Sequence, residues 1–308
     1  MASIPLIILG GSDRRAGPLP SGVRDHRPLS GAKGAHLTVG GRRLIDVLIE
    51  RFRRASDLFD PVYIAGAASD YRDIASEATI IDTDAGFGRN IRAGVEHARE
   101  RHPGSPIAMC TCDILPNAAE LRELLRDYQS RLPCDFWFPT IAVDDAHLGA
   151  SEWKPRYRLI PHGGEPTWVL PGHLAIFDPE AMRLRFLYRL LQLGYATRNR
   201  SVLQRRAVML RNLLIGILYQ DLVHLLTLRL PNVTWDTVRF GFVAARRLRD
   251  GVLTQDQLEN AIRHMFVRRR HRRRHPDRPT RLPILRGMSL ARDIDTFEEA
   301  QALGAVTA

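Results

Sequence analysis

The chain has 308 residues, of which 44% are hydrophobic and 26% charged, and it carries a formal net charge of +11. That length can bury a full core as one large domain or a domain plus a subdomain, and the composition excludes a disordered, fibrous or disulfide-stapled chain. Three cysteines, Cys110, Cys112 and Cys134, lie in apolar surroundings without metal-finger spacing and read as buried reduced thiols.

The charge is uneven. Residues 180–283 hold 22 arginines against seven acids, whereas the remainder holds 23 Lys plus Arg against 27 acids. Met1-Ala2-Ser3 runs straight into the first apolar stretch without a signal-peptide pattern, so the expected location is cytoplasmic, with a peripheral membrane position as the variant that the basic segment adds. The most apolar run, Leu213 to Tyr219, is far short of the ~20 residues a bilayer span needs.

Ile4 to Leu9 is a short apolar run closed by Gly10-Gly11, the pattern of a buried first strand in a parallel sheet. Glycines let backbone amides approach a ligand, and Arg14, Arg15 and Lys33 add positive charge around the same loop. This is either a phosphate cradle or a plain glycine turn. Neither familiar glycine fingerprint is present: the glycines are adjacent, and Lys33 is followed by Gly34 with no Ser or Thr next. Among 45 Lys plus Arg, only Lys33 and Lys154 are lysines. A lysine in this loop of an arginine-rich chain points to a need for a compact ammonium.

Leu37-Thr38-Val39 leads to a turn at Gly40-Gly41, and Leu44 to Phe52 shows helical spacing. Strands are expected at Pro61–Ala65, Ala78–Ile81, Pro106–Asp113 and Asp135–Pro139, with helices over Asn90–Arg101 and after the capping residue Asn117. This alternation predicts an α/β fold, a three-layer αβα Rossmann-like mixed sheet. Tyr157–Ile160 and Leu174–Phe177 read as further strands around a Gly/Pro-rich turn region. From Pro179 the pattern turns helical: one leucine stripe from Leu184 to Leu191, a longer one from Leu203 to Leu228, and a capping box at Thr254-x-x-Gln257 opening a helix through Met265. Arg268 to His275 is a cationic run, Pro276 to Pro283 reads as a linker, and Ser289 to Ala302 returns to the α/β style. The expected division is a core over 1–178, a basic helical insertion over 179–283 and a C-terminal return to the core over 284–308.

Asp113 closes a buried strand, where open α/β sheets keep their ligand groups. Asp293 and Asp295 form a second carboxylate pair far along the chain. Carboxylates converging from distant segments suit Mg²⁺, a hard cation that also takes substrate phosphates. With a lysine and a glycine loop, such a set fits phosphoryl or nucleotidyl transfer.

These pieces, in order, resemble the nucleotidyltransferases of the glycosyltransferase-A-like fold. The resemblance rests on Gly10-Gly11-Ser12-Asp13-Arg14-Arg15 with Lys33-Gly34, on Gly40-Gly41-Arg42-Arg43-Leu44, on Cys112-Asp113, and on Asp293-Ile294-Asp295-Thr296-Phe297-Glu298-Glu299. It covers residues 4–178 and 288–303 and is nearest the group around molybdenum cofactor guanylyltransferase and the cytidylyltransferases of sugar or polyol phosphates. It implies transfer of NMP from a nucleoside triphosphate to a phosphorylated small-molecule acceptor. Leu9, Gly10 and Gly11 would contact the nucleotide, Arg15 and Lys33 its phosphates, and Gly86, Gly88 and Asn90 the base or ribose. Asp113 and Asp293 would hold Mg²⁺, with Asp295 structural. His173, where relatives often have Asn, either faces the acceptor or is a surface turn residue. The chain departs from the pattern in its long loop between Arg15 and Lys33, in Phe297 where proline is usual, and in its helical insertion.

Two other classes compete. A glycosyltransferase of the same fold would use a nucleotide sugar, but the strand end carries one Asp where such enzymes usually have D-x-D. A non-catalytic protein could instead bind a membrane or nucleic acid through Arg268–His275. That run lacks interleaved aromatics and a surrounding nucleic-acid motif, so no specific nucleic acid is expected; an anionic lipid surface and a solvated loop remain as readings of it.

Overall fold

The structure is a computed structural model, and it describes residues 3–12, 19, 25–74, 77–196, 211–212, 215–219, 221–222, 225–226 and 233–307. In chain order the strands are β1 (Ile4–Gly10), β2 (Leu37–Val39), β3 (Arg42–Arg43), β4 (Phe59–Gly66), β5 (Thr79–Asp82), β6 (Ile107–Thr111) and β7 (Phe136–Trp137). Then come β8 (Thr140–Ala142), β9 (Tyr157–Leu159), β10 (Thr167–Pro171), β11 (Leu174–Phe177), β12 (Thr280–Arg281), β13 (Ile284–Leu285) and β14 (Ala305–Thr307).

Seven strands form a mixed sheet in the order β12-β7-β11-β6-β1-β4-β5. β1 sits at its centre, parallel to both β4 and β6, and all seven of its residues are buried. Because side chains alternate along a strand, Leu6 and Ile8 point to one face and Ile7 and Leu9 to the other. The first face packs on Ile45, Ile49 and Phe52 of the helix Leu44–Ala55 and on Leu121 and Leu124 of the helix Ala118–Ser130. The second packs on Ile91, Val95 and Ala98 of Phe87–Arg101 and on Leu184 and Tyr188 of Leu184–Ala196. Each such buried Leu, Ile or Phe is worth about 1.5–3 kcal/mol relative to exposure. The three-layer mixed α/β fold expected from the sequence is the one observed.

Local chemistry explains the element ends. Asn117 caps its helix by accepting from the Ala119 backbone N–H at 2.8 Å. Gly40 and Gly41, both at positive φ (58° and 76°), turn the β2–β3 hairpin as a two-residue loop of that kind requires. The capping box at Thr254 and Gln257 is present and opens the helix Gln255–Phe266.

Three readings need correction. The Gly/Pro-rich turn region contains β10, which pairs with β8 and β9 in a second sheet ordered β13-β8-β10-β9. Its glycines and prolines flank the strand and hid a short Thr-Trp-Val-Leu-Pro run. Pro276–Pro283 is no linker: Thr280–Arg281 pairs in parallel with β7 as the edge strand of the main sheet. Two-residue pairings give no periodicity to read. Finally, β6 ends at Thr111, so Asp113 lies two residues beyond the strand.

Part of the cationic run is also folded in. Arg269–Arg274 is a short helix in which His271 Nε2 meets the fully buried Asp135 at 2.9 Å and Arg272 meets the buried Asp236 at 3.0 Å. Asp236 also receives Arg183 at 3.1 Å, and Arg278 bridges Asp135 and Asp178, each at 3.0 Å. Through His271 and Arg278 the helical region is tied to Asp135 and Asp178 at the lower edge of the sheet, while the Asp236 pairs join parts of that region to one another. Of the longer stripe expected over Leu203–Leu228, residues 203–210, 213–214, 220, 223–224 and 227–228 lie outside the described residues.

Candidate active site

The C-terminal segment completes the end of β6. Ile114 and Asp293 form an antiparallel bridge, and the Ile294 N–H donates to the Asp113 carbonyl at 2.8 Å. This pairing sets Asp293 and Asp295 beside Asp113, and one carboxylate oxygen from each of the three lies within 4.8 Å of the others.

Lys33 arrives from the opposite side. It opens the short helix Lys33–His36, is only 6% exposed, and donates to Asp113 Oδ2 at 3.2 Å and Asp295 Oδ1 at 2.6 Å. Gly34 makes this approach possible, since a Cβ there would lie 2.9 Å from the Cys112 Cβ. Burial works against the ammonium charge, but Asp113, Asp295 and Asp293 outweigh it and hold Lys33 above its ordinary range. Burial also pushes the neighbouring Cys112 thiol up to about 12, so it stays a neutral packing group.

Lys154, the second lysine of the chain, enters the same cluster. Its ammonium contacts the carboxylate of Asp293, donates to the Asp293 carbonyl at 2.6 Å, and lies 3.4 Å from Asp295 Oδ2 and 3.1 Å from Glu299 Oε1. Here too burial opposes the charge, and Asp293, Asp295 and Glu299 hold it above the usual lysine range. Asp295 is gripped from both sides, and despite its burial Lys33 and Lys154 hold its carboxyl well below the usual carboxylate range.

Glu299 anchors the arrangement from beneath. It is fully buried, its Oε2 accepts from the backbone N–H groups of Asp295 (2.6 Å) and Thr296 (3.0 Å), and its Oε1 accepts from Ser151 Oγ at 3.0 Å. Burial pushes its carboxyl up, with Lys154 opposing. It doubles as the third residue of a capping box with Thr296, which starts the helix Phe297–Ala302. Phe297 packs under the Arg27 guanidinium, 3.9 Å from its ring centre, and the Leu29 N–H donates to the Asp295 carbonyl at 2.8 Å. The closing motif therefore clamps the end of the long N-terminal loop.

The residue set suits a hard divalent cation. The three aspartates alone outnumber the two lysines, and Asp113 Oδ1 is buried without a hydrogen-bond partner among the described residues. An unpaired buried carboxylate oxygen is costly unless something cationic shares it.

The other expected site residues lie around this centre. His173 donates its backbone N–H to Leu290 O at 2.8 Å; its Nδ1 is 3.3 Å from Thr111 Oγ1 and its Nε2 3.8 Å from Asp293 Oδ1, so the ring borders the cluster. Leu9 is buried in the sheet, and Gly10 lies where a Cβ would strike the Tyr71 ring at 2.8 Å. Buried Asn90 braces the turn after β5, accepting from Thr83 Oγ1 at 2.9 Å and the Ala85 N–H at 3.1 Å, with its Nδ2 against Gly11. Gly88 is pressed under the helix Leu184–Ala196: its N–H donates to Gln192 Oε1 at 2.9 Å, and a Cβ would lie 2.7 Å from the Tyr188 carbonyl. Gly86 borders the same Gln192 amide. Arg14 and Arg15 lie outside the described residues.

Sequence reasoning missed Lys154, Glu299 and Ser151 as parts of this centre. The signal for Lys154 was present in its rarity. Glu299 and Ser151 act through buried hydrogen bonds that no spacing announces.

No family model matches the chain, and no curated protein matches it either. Among solved structures it is similar to a hypothetical transferase from Thermus thermophilus at 17% identity and a TM-score of 0.54, covering 95% of this chain and 97% of that one. It is also matched to CMP:2-keto-3-deoxy-manno-octonic acid synthetase complexed with CTP, at 10% identity and a TM-score of 0.43, over 69% of this chain and 84% of that one. A third match is HddC from Yersinia pseudotuberculosis, at 16% identity and 0.39, over 61% and 79%. The first of these shows that the fold is shared over nearly the whole length of both chains.

Proposed function

We propose that this chain is a nucleotidyltransferase, moving NMP from a nucleoside triphosphate to a phosphorylated small-molecule acceptor with release of pyrophosphate. The observation that carries this reading is the meeting of Lys33 with Asp113, Asp293 and Asp295 just beyond the carboxyl end of β6, beside the glycine end of β1. In an open α/β sheet that edge is where ligands bind. Within this class, the pairing of the N-terminal loop lysine with the closing motif favours the molybdenum cofactor guanylyltransferase-like group.

In this reading Asp113 and Asp293 hold Mg²⁺, which when bound neutralises charge on phosphoryl oxygens. Gly10 and Gly11 let the backbone approach the phosphates, Lys33 and Arg15 hold them, and Leu9, Gly86 and Asn90 border the nucleoside. His173 faces the acceptor. An acceptor phosphate oxygen forms the new bond to the α-phosphorus, and the bond to the bridging oxygen breaks, its electron pair leaving on pyrophosphate. The attacking acceptor phosphate oxygen is already ionised near neutral pH, so the reaction needs no general base. Lys33 stays cationic because its carboxylate neighbours hold its pKa up, and it works as a fixed charge rather than a proton donor.

The test is pyrophosphate release with each of the four common NTPs, Mg²⁺ and a panel of sugar and polyol phosphates, alongside a thermal-shift screen of the NTPs. One NTP is expected to raise Tm in the presence of Mg²⁺ and to support turnover, and Asp113→Asn is expected to remove both. No NTP-dependent shift together with no pyrophosphate from any acceptor would refute the assignment.

A further inference from the structure

Beyond the site, the largest unexplained feature is an apolar face on the helical region. Ile215, Leu218, Tyr219, Leu222, Leu225 and Leu226 are all more than half exposed, and Leu226 is 77% exposed. Within the described stretches 215–219, 221–222 and 225–226 these six are exposed, whereas Ile217 and Asp221 are buried. The Asp221 carboxylate accepts from the Thr234 N–H at 2.8 Å, which ties residue 221 to the helix Val233–Asp236. In that helix and the turn after it, Trp235, Val238 and Phe242 are exposed as well. No other part of the described structure covers either set.

Charge identifies what does. Residues 180–283 carry a net +15, and three of their seven acids, Asp221, Asp236 and Glu259, are buried. Arg211, Arg239, Arg246 and Arg247 are exposed and lie within five residues of Ile215, Val238 or Phe242 in sequence. Leucine-rich helix faces edged by arginine match a lipid boundary with anionic headgroups, where the side chains enter the acyl region and the guanidiniums meet phosphate. A second copy of the chain would bring the same excess positive charge against itself. A nucleic acid would satisfy the arginines but leave the aliphatic face in water.

We propose that the helical region seats this protein on an anionic lipid surface through the face formed by Ile215, Leu218, Leu222, Leu225 and Leu226. The proposal does not depend on the nucleotidyl-transfer reading.

The test is co-sedimentation of the full chain with phosphatidylcholine vesicles and with vesicles containing one-third phosphatidylglycerol, at low and moderate salt. Binding to the anionic vesicles is expected to exceed that to the neutral ones by about tenfold or more and to weaken with salt. The exposed double variant Leu222→Asp/Leu226→Asp is expected to lose it while keeping the thermal unfolding midpoint. If that variant fails to fold, Arg239→Ser/Arg246→Ser serves instead, with the same vesicle preference reduced. Absence of binding to anionic vesicles, equal binding to neutral ones, or undiminished binding by a folded variant overturns the proposal. A dimer in sedimentation velocity that the aspartate variant dissolves, or binding of a single-stranded RNA homopolymer without vesicle binding, overturns it in favour of a second copy or a nucleic acid.

Discussion

Acids at the carboxyl edge of the sheet and acids at its other end and in the helical region meet different cations. At the carboxyl edge of the sheet, Asp113, Asp293, Asp295 and Glu299 surround Lys33 and Lys154, the only lysines of the chain. At the lower edge and in the helical region, Asp236 and Asp135 are met by Arg183, Arg272, Arg278 and His271. A guanidinium is planar and forked, suited to holding elements in fixed relation; an ammonium is a compact point charge that can exchange one oxygen partner for another. In the function proposed above, the difference separates a centre that accepts a ligand from clusters that hold the chain together.

The sharpest way to break this comparison is at Lys33. Lys33→Ala is expected to lower pyrophosphate-release kcat by about 10²–10³-fold, the loss typical of removing one preorganised charge donor. Lys33→Arg is expected to fail nearly as badly, because a larger fork does not fit a site only 6% exposed. Full activity in the arginine variant would erase the distinction.

At Asp236 the expected loss is of stability instead. Asp236→Ala leaves Arg183 and Arg272 buried without their shared partner, and urea denaturation is expected to show a loss of about 3–5 kcal/mol. Activity per folded molecule should be unchanged; a kcat defect comparable to that of Lys33→Ala would place Asp236 in the site.

Acid titration distinguishes the regions less strongly. Burial opposes the Asp236 charge, but His264, Arg272 and Arg183 outweigh it and bring the carboxyl down to about 2. A carboxyl lowered on folding contributes stability that is fully present above its unfolded value of about 4 and is lost as pH falls through the folded one. Calorimetric Tm is therefore expected to drop between about pH 4 and 2, and Asp236→Asn should flatten that drop. Asp295 is shifted in the same direction by the two lysines and adds to the acid sensitivity. The smallest effect belongs to the exposed arginines of the cationic run: Arg270→Ser and Arg273→Ser are expected to change stability by no more than about 0.5 kcal/mol. A larger change would mean that these two, like Arg272, hold a buried partner.

The layered fold was legible because β1, β4 and β6 are apolar runs long enough to show themselves, separated by helices with regular stripes. Asp113 and the Asp293–Asp295 pair could be singled out because their position relative to those strands carries chemical meaning. β12 and β13 could not, since each pairs over two residues and owes its extended shape to the neighbouring strand. Lys154 was visible as an oddity but had no address: it follows an irregular turn, and only the fold brings it to Asp293. The cationic run misleads for a related reason. Composition reports the number of arginines, whereas burial of Asp135 and Asp236 decides which face inward.

The bridge between Ile114 and Asp293 joins positions separated by more than half of the chain. During synthesis, Lys33 and Asp113 leave the ribosome well before the segment that supplies Asp293, Asp295 and Glu299. The centre is thus assembled last, and a nascent chain that ends before residue 288 lacks the second set of acids and the core residues Leu290 and Ile294 that come with them.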